Sequence, residues 1–256
     1  MATQKKKYYQ ITSLEKGIKV LELLADKKEL TVSAVAEQLG FNRAGSHRFL
    51  ATLRDLGYVE KNENNRYQLT FKVMDLGMMV LNRFEIRQEA QPFMQELSTE
   101  FKETINLGFW NGKGIFHLDK IDSTEILRID APLGSHAPAY CTALGKAILA
   151  QMSKEELNNY LSGIKLVKHG PNTITSTRKL QQELESTCQR GYAVDNEELA
   201  RGLRCVAAPV FDHTGRAVYA LSISAPAMRF SLKTIEQVQK KIRDVCGRLS
   251  VHLGFT

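Results

Sequence analysis

The feature that constrains the fold most is a pair of short helical patterns between Thr31 and Gly57, separated by a tight turn. Thr31 is predicted to cap the first helix, and Gly40, which tolerates a left-handed backbone, is predicted to end it. After the single residue Phe41, Asn42 is predicted to cap the second helix. Two helices joined by so short a glycine-containing turn are typical of a helix-turn-helix.

The flanking residues extend this motif. A T-x-x-E capping box at Thr12 predicts an earlier amphipathic helix over residues 13–25. Downstream, residues 58–61 and 66–69 have the pattern of two short strands joined by a polar turn. Three helices followed by a hairpin, in this order, predict a winged helix-turn-helix over residues 1–70.

The helix that begins at Asn42 is predicted to enter the major groove of DNA by its N-terminal end. Its outward cations can contact phosphates or the edge of guanine, and its short polar side chains can make closer contacts. The alternative is that these cations only form the solvated face of a small helix. Lys5, Lys6 and Lys7 would add attraction for the DNA backbone. The predicted DNA-contacting residues are Asn42, Arg43, Ala44, Ser46, His47 and Arg48 on the helix, and Arg66 on the hairpin.

Positive charge is concentrated in the same part of the chain. The net charge is +7, and residues 1–84 hold 14 Lys and Arg against 9 Asp and Glu, a difference of +5. The remaining residues hold 21 against 19, a difference of +2. This distribution is expected if the first third meets a polyanion. Because the sequence has neither a signal peptide nor an apolar run that could span a bilayer, a cytoplasmic protein without a membrane partner is expected.

Residues 71–85 predict a linker helix that is apolar on almost every face. Such a helix needs burial on two sides. It could pack against its copy in a homodimer, or it could be buried within one domain, and the sequence favours neither. A dimer would suit a protein that reads palindromic half-sites in double-stranded DNA.

From residue 86 to residue 256 the pattern changes to mixed strands and helices, which suits a domain that senses a small molecule. A helix that begins near Cys141 offers free N–H groups suited to a carboxylate. Ser222 and Ser224 point to the same face of one strand. Asp195 can accept hydrogen bonds from hydroxyl groups. Together these residues predict a ligand with a carboxylate at one end and hydroxyls or a carbonyl elsewhere.

The segment "DNEELARGLRC" raises the alternative of a cysteine-dependent enzyme that uses Cys205. However, Cys205 lies in an apolar strand, where a free cysteine packs as a small hydrophobic residue. No histidine is close to it in sequence to lower its pKa. The sequence has no G-x-S-x-G elbow, H-E-x-x-H motif or P-loop. Since the four cysteines are also spaced too widely for a zinc site, no catalytic residue, metal or cofactor is expected.

Several motifs, in a fixed order over nearly the whole chain, resemble the isocitrate lyase regulator (IclR) family of bacterial transcription factors. They are "RFLATLRDLGYVE", "TALGKAILA", "TITST", "RGYAVDNEELARGLRCVAAPVFD" and "ALSISAP". The resemblance implies an α+β fold in which a winged helix-turn-helix is joined by a linker helix to a GAF-like effector-binding domain. It also implies a homodimer or a dimer of dimers. The effector pocket it implies is formed by Ala143, Leu144, Asp195, Cys205, Ser222 and Ser224.

Two segments depart from the family pattern. The recognition helix reads "NRAGSHR", where the family often has S-x-S-T and an apolar residue, so its base preference cannot be transferred. Ala143 and Leu144 replace a smaller Gly-Ala pair of some members. The effector half is most similar to regulators of 2-keto-3-deoxygluconate and related sugar-acid catabolism. The implied function is a repressor of a catabolic operon that responds to a small organic acid such as 2-keto-3-deoxygluconate.

Overall fold

The computed structural model describes residues 11–81 and 85–256. The chain divides into two compact units, Met1–Phe84 and Glu85–Thr256. The described residues of the first unit form helices and a small sheet, whereas the second unit is built on a larger sheet with helices on both faces. The α+β fold class is therefore confirmed.

The first unit is a winged helix-turn-helix, as predicted. Its three-stranded antiparallel sheet has the order β1-β3-β2, and β2 and β3 form the hairpin of the wing. The short strand β1 was not predicted. Buried aliphatic side chains from α1, α2 and α3, with Tyr67 of the hairpin, form a core of its own. The elements are α1 (Thr12–Lys27), β1 (Glu29–Leu30), α2 (Val32–Leu39), α3 (Arg43–Asp55), β2 (Val59–Lys61), β3 (Tyr67–Leu69) and α4 (Phe71–Leu81).

The predicted caps are present at the starts of α2 and α3. The side chains of Thr31 and Asn42 each accept a hydrogen bond from the backbone N–H three residues later, at 3.3 and 2.6 Å. Gly40 makes the turn between the helices with a φ of 65°, in the left-handed region that favours glycine. The predicted capping box at Thr12 is wrong, because Thr12 is the first helical residue and Ile11 occupies the cap position.

The second unit contains a six-stranded antiparallel sheet in the order β6-β5-β4-β9-β8-β7. Residues 104–121 form one hairpin of this sheet, and residues 203–226 form another. The strands are β4 (Thr104–Trp110), β5 (Ile115–Ile121), β6 (His136–Ala137), β7 (Ala193–Asn196), β8 (Leu203–Phe211) and β9 (Ala217–Pro226). The helices are α5 (Ile86–Phe101), α6 (Ala143–Leu149), α7 (Lys154–Ser162), α8 (Thr177–Arg190) and α9 (Leu232–His252).

Alternation along the central strands separates the two faces of this sheet. Cys205 and Ala207 of β8, with Ala220 of β9, pack in one cluster with the buried side chains of α6. The residues between them face the other way, where α5 and α9 pack against the sheet. The whole of α6 is buried, so this short helix forms the inner layer of its face.

Helix α6 begins later than predicted. Residues Ala139–Cys141 form a single 3-10 turn, and Thr142 caps α6 by accepting a hydrogen bond from the Gly145 N–H at 3.1 Å. Gly145 is required here because a Cβ at this position would lie 2.2 Å from the carbonyl oxygen of Ala139. The start of α6 is thereby fixed against the preceding turn.

Candidate functional site

A cavity of about 360 Å³ lies where the start of α6 meets the sheet and the loop after β7. All six residues predicted for the effector pocket line it, although they come from four separate elements and connections. They are Ala143 and Leu144 at the start of α6, Asp195 on β7, Cys205 on β8, and Ser222 and Ser224 on β9.

Asn106 on β4 also lines the cavity and was not predicted. Its Nδ2 donates hydrogen bonds to the Oγ atoms of Ser222 and Ser224, at 3.4 and 3.1 Å. Because both hydroxyl oxygens act as acceptors here, their O–H groups remain able to donate to a ligand. A single amide side chain between Ile105 and Leu107, in a buried strand, was the feature of the sequence that could have indicated this site residue.

Asp195 is almost completely buried at the cavity, with 1% of its surface exposed. Its Oδ1 accepts hydrogen bonds from the backbone N–H groups of Glu198 and Leu199, at 2.7 and 3.4 Å. Its Oδ2 has no hydrogen-bond partner among the described residues. Burial, with the nearby Glu198 carboxylate, raises the pKa of Asp195 to about 7. Near neutral pH, this group can therefore either accept or donate a hydrogen bond.

A buried ion pair lies behind the cavity. Lys146 of α6 has 1% of its surface exposed, and its Nζ lies 2.5 Å from Oε1 of Glu198 and 3.3 Å from Oε1 of Glu183 on α8. Glu198 also donates its backbone N–H to Asp195. The pair thus connects α6 to the loop that carries part of the cavity wall. A lysine inside the apolar run "ALGKAILA" was the only sequence signal for it.

Cys205 does not have the environment of a nucleophile. It is buried, and this burial, with the nearby Asp195 carboxylate, raises the pKa of its thiol well above the ordinary value. The reactive form of cysteine is the thiolate, which this environment disfavours. His117 lines the same cavity, and burial lowers its pKa to about 4. Cys205 therefore lines the cavity without the reactivity of a nucleophile.

Two arginines supply positive charge to the cavity. Arg128, which precedes the strand β6, and Arg201, in the loop before β8, both line it and are both exposed. Guanidinium groups bind carboxylates well because their donors match both oxygens. Neither arginine was predicted, since each lies in a connection without a regular pattern.

On the first unit, the N-terminal end of α3 presents most of the predicted DNA-contacting residues to solvent. Asn42, Arg43, Ala44, His47 and Arg48 are exposed. The prediction that Ser46 faces outward is wrong. Ser46 is fully buried and its Oγ donates to the carbonyl oxygen of Asn42 at 3.2 Å, because it shares the inner face of α3 with Leu50.

Arg66 is exposed on the wing, and its Nε lies 3.6 Å from a carboxylate oxygen of Glu29 on β1. An exposed pair at this distance is weak, so the guanidinium can exchange this partner for a phosphate. The predicted contributions of Lys5, Lys6 and Lys7 lie outside the described residues.

The linker helix α4 leaves its apolar side chains exposed in the single chain. Phe71 is 82% exposed, and Met74, Met79 and Val80 are each more than half exposed. Burial of this helix within its own domain, one of the two alternatives, is therefore wrong. An apolar helix so exposed indicates an interaction surface.

Two features are absent from the described residues. No group of three or more His, Cys, Asp or Glu side chains is arranged to hold a metal ion. Among the same residues, no helix has the length and apolarity needed to cross a membrane.

Two family models match the chain. The IclR helix-turn-helix domain matches residues 13–63, and the C-terminal domain of bacterial transcriptional regulator IclR matches residues 78–251. Among curated relatives, the transcriptional regulator KdgR of Escherichia coli K12 is 34% identical over 96% of this chain and 94% of its own length.

Solved structures have the same fold. The crystal structure of the Thermotoga maritima IclR has a TM-score of 0.82, with 32% identity over 96% of this chain and all of the other. An IclR homologue from Microbacterium hydrocarbonoxydans, solved in complex with 4-hydroxybenzoate, has a TM-score of 0.80 at 21% identity. The match covers 94% of this chain and 98% of the other, and it shows that the two proteins share a fold.

Proposed function

Since this chain belongs to the IclR family of bacterial transcriptional regulators, we propose that its cavity binds a small carboxylate and thereby changes its affinity for operator DNA. Membership of the family supports a DNA-binding transcriptional regulator rather than an enzyme. The observation that carries the proposal is the cavity itself. It gathers the serine hydroxyls, the Asp195 carboxyl and two arginines in a unit separate from the DNA-binding one.

The proposed effector is a hydroxylated organic acid, with 2-keto-3-deoxygluconate as the first candidate. Arg128 and Arg201 favour an anion, and the hydroxyls of Ser222 and Ser224 can donate to a carboxylate or carbonyl. The resemblance of the effector half to regulators of 2-keto-3-deoxygluconate catabolism supports a sugar acid. The homologue with 4-hydroxybenzoate supports the broader class, since its ligand also combines a carboxylate with a hydroxyl.

The proposed mechanism is a population shift in a homodimer or a dimer of dimers. An effector that binds one arrangement of the paired chains more tightly changes the spacing of their recognition helices on a palindromic operator. The DNA contacts would come from the exposed residues Asn42, Arg43, Ala44, His47, Arg48 and Arg66. A coupling free energy of about 1–3 kcal/mol would change operator affinity about 5–150-fold. We propose repression of a catabolic operon in the cytoplasm as the biological output.

The test is a gel-shift titration of the full chain on the DNA upstream of its own gene. It is repeated with a panel of five- to seven-carbon acids that includes 2-keto-3-deoxygluconate, gluconate and unhydroxylated acids of the same length. At least one acid is expected to change the operator affinity by the factor given above. A panel in which no acid changes either this affinity or the melting temperature would contradict the effector proposal. The absence of any footprint at low salt would contradict operator binding.

A further inference from the structure

We propose that Asn106 and His117 form a second polar subsite in the cavity, which selects acids that carry hydroxyl groups along the carbon chain. The inference rests on the proposed effector function. It assigns a specificity role to two residues outside the predicted set of six.

Of the two residues, Asn106 provides the stronger evidence for this subsite. It is 2% exposed, and its amide nitrogen is already used by the two serines. This leaves its carbonyl oxygen Oδ1 facing no donor, and the atom has no hydrogen-bond partner among the described residues. A buried acceptor without a partner is unfavourable. A ligand hydroxyl that donates to Oδ1 would remove this penalty.

His117 is brought to the same face by the register of the sheet. On β5 it lies opposite Gly108 of β4, and Gly108 lies two residues from Asn106 on the same side of that strand. His117 lines the cavity, and its Nδ1 is buried without a partner. A neutral imidazole offers one donor and one acceptor, which matches a hydroxyl group better than a carboxylate.

The cavity therefore offers two kinds of polar group. The arginines and the serine hydroxyls can bind a charged head group. Asn106, which lies beside those serines, and His117 are neutral and have unused hydrogen-bonding atoms. An acid with a bare alkyl chain would cover these atoms and leave them unpaired. Sites of this kind reject the analogue that lacks the hydroxyl more strongly than they reject a change of size.

The experiment compares two probes with the same six-carbon 2-keto acid frame: 2-keto-3-deoxygluconate and 2-ketohexanoate, which lacks the hydroxyls. Calorimetric titration of the full chain is expected to give at least a tenfold preference for the hydroxylated acid. Asn106→Leu and His117→Phe are each expected to weaken the binding of 2-keto-3-deoxygluconate at least tenfold more than they weaken the binding of 2-ketohexanoate. His117→Gln, which keeps a donor and an acceptor, should retain most of the preference.

Matched substitutions outside the cavity are Asn159→Leu on α7 and His213→Phe in the turn before β9, both at exposed positions. They should leave both affinities unchanged. Thermal melting without any acid verifies that each variant is folded, and His117→Gln keeps the test open if Asn106→Leu does not fold. Equal affinities for the two probes, or equal losses for both in the variants, would overturn the subsite and leave the proposed function standing. Failure of every acid in the wider panel would instead overturn the proposed function.

Discussion

At the scale of single residues, Asp195 links the cavity to pH. Its pKa is raised to about 7 by burial, so the carboxyl is mainly protonated below this value and mainly ionised above it. An anionic effector beside it is repelled only by the ionised form. The affinity for 2-keto-3-deoxygluconate should therefore be constant below about pH 6 and fall up to about tenfold per unit above pH 7.

The measurement is a series of calorimetric titrations between pH 5.5 and pH 8.5. Asp195→Asn, which resembles the protonated carboxyl, should bind with little dependence on pH across this range. An affinity that rises with pH in the wild-type chain would contradict the role assigned to Asp195.

The buried ion pair of Lys146 and Glu198 leads to a prediction about stability. Lys146→Met leaves the buried Glu198 carboxylate without its cation, which should lower the free energy of unfolding by about 3–5 kcal/mol. Adding Glu198→Met should restore most of this loss. Denaturant unfolding of the full chain provides the measurement.

The control for this pair is Arg216→Met. Arg216 lies 3.5 Å from Glu156, and both side chains are at least half exposed. Such a pair contributes about 0–1 kcal/mol, so this variant should unfold almost like the wild type. If Lys146→Met were as mild as the control, the pair would not be holding α6 to the loop after β7.

At the scale of elements, the position of α6 depends on Gly145. An added Cβ would lie 2.2 Å from the carbonyl oxygen of Ala139 and 2.3 Å from its Cα, and these backbone atoms cannot move without moving the whole turn. Gly145→Ala should therefore destabilise the second unit by about 1–3 kcal/mol or more. It should also weaken effector binding, because Ala143 and Leu144 at the same helix start line the cavity.

Gly247→Ala on α9 is the matched substitution, since a Cβ there would meet no atom within 4 Å. Because alanine has the higher helix propensity, this variant should be more stable by about 0.4–1 kcal/mol. Thermal melting with and without 2-keto-3-deoxygluconate measures both effects. Similar melting temperatures for the two variants would mean that α6 can move away from the turn.

Helix α3 supplies the prediction for DNA recognition. Arg48→Ala removes an exposed cation near the N-terminal end of this helix and should weaken operator binding by about 1–3 kcal/mol if it reads a base. Arg54→Ala, in the last turn of the same helix and paired with Asp55 at 3.1 Å, is the control. Fluorescence anisotropy on operator DNA and on unrelated DNA measures the change. Equal losses for the two variants would contradict groove entry by the N-terminal end.

Prediction from the sequence succeeded where local chemistry sets the structure. Thr31, Gly40 and Asn42 predicted α2, the turn and α3, and two short strand patterns joined by a polar turn predicted the wing. It failed for Ser46, because a small polar residue can lie on either face of a helix. It also missed Asn106 and His117, whose place in the cavity depends on the register of β4 with β5 and β9. The sequence of one strand alone does not determine that register.

At the scale of the whole molecule, the exposed apolar side chains of α4 favour association of two chains. Met74→Asp places a charge on this surface, where Met74 is 58% exposed in the single chain. We expect the variant to fold, to shift towards the monomer in sedimentation velocity, and to lose affinity for a two-half-site operator. Asn159→Asp on the exposed face of α7 should change neither property. A Met74→Asp chain with wild-type assembly and affinity would exclude α4 from the interface.

The two units have separate hydrophobic cores, one within residues 20–67 and the other around α6. Because the cores are separate, mutations in the second unit can change the effector that is bound while the regulated promoters stay the same. Conversely, mutations in the first unit can change the promoters that are bound while the effector stays the same. Joining residues 85–256 to an unrelated winged domain from the same family would, on this basis, give a biosensor that reports the original metabolite from a different promoter.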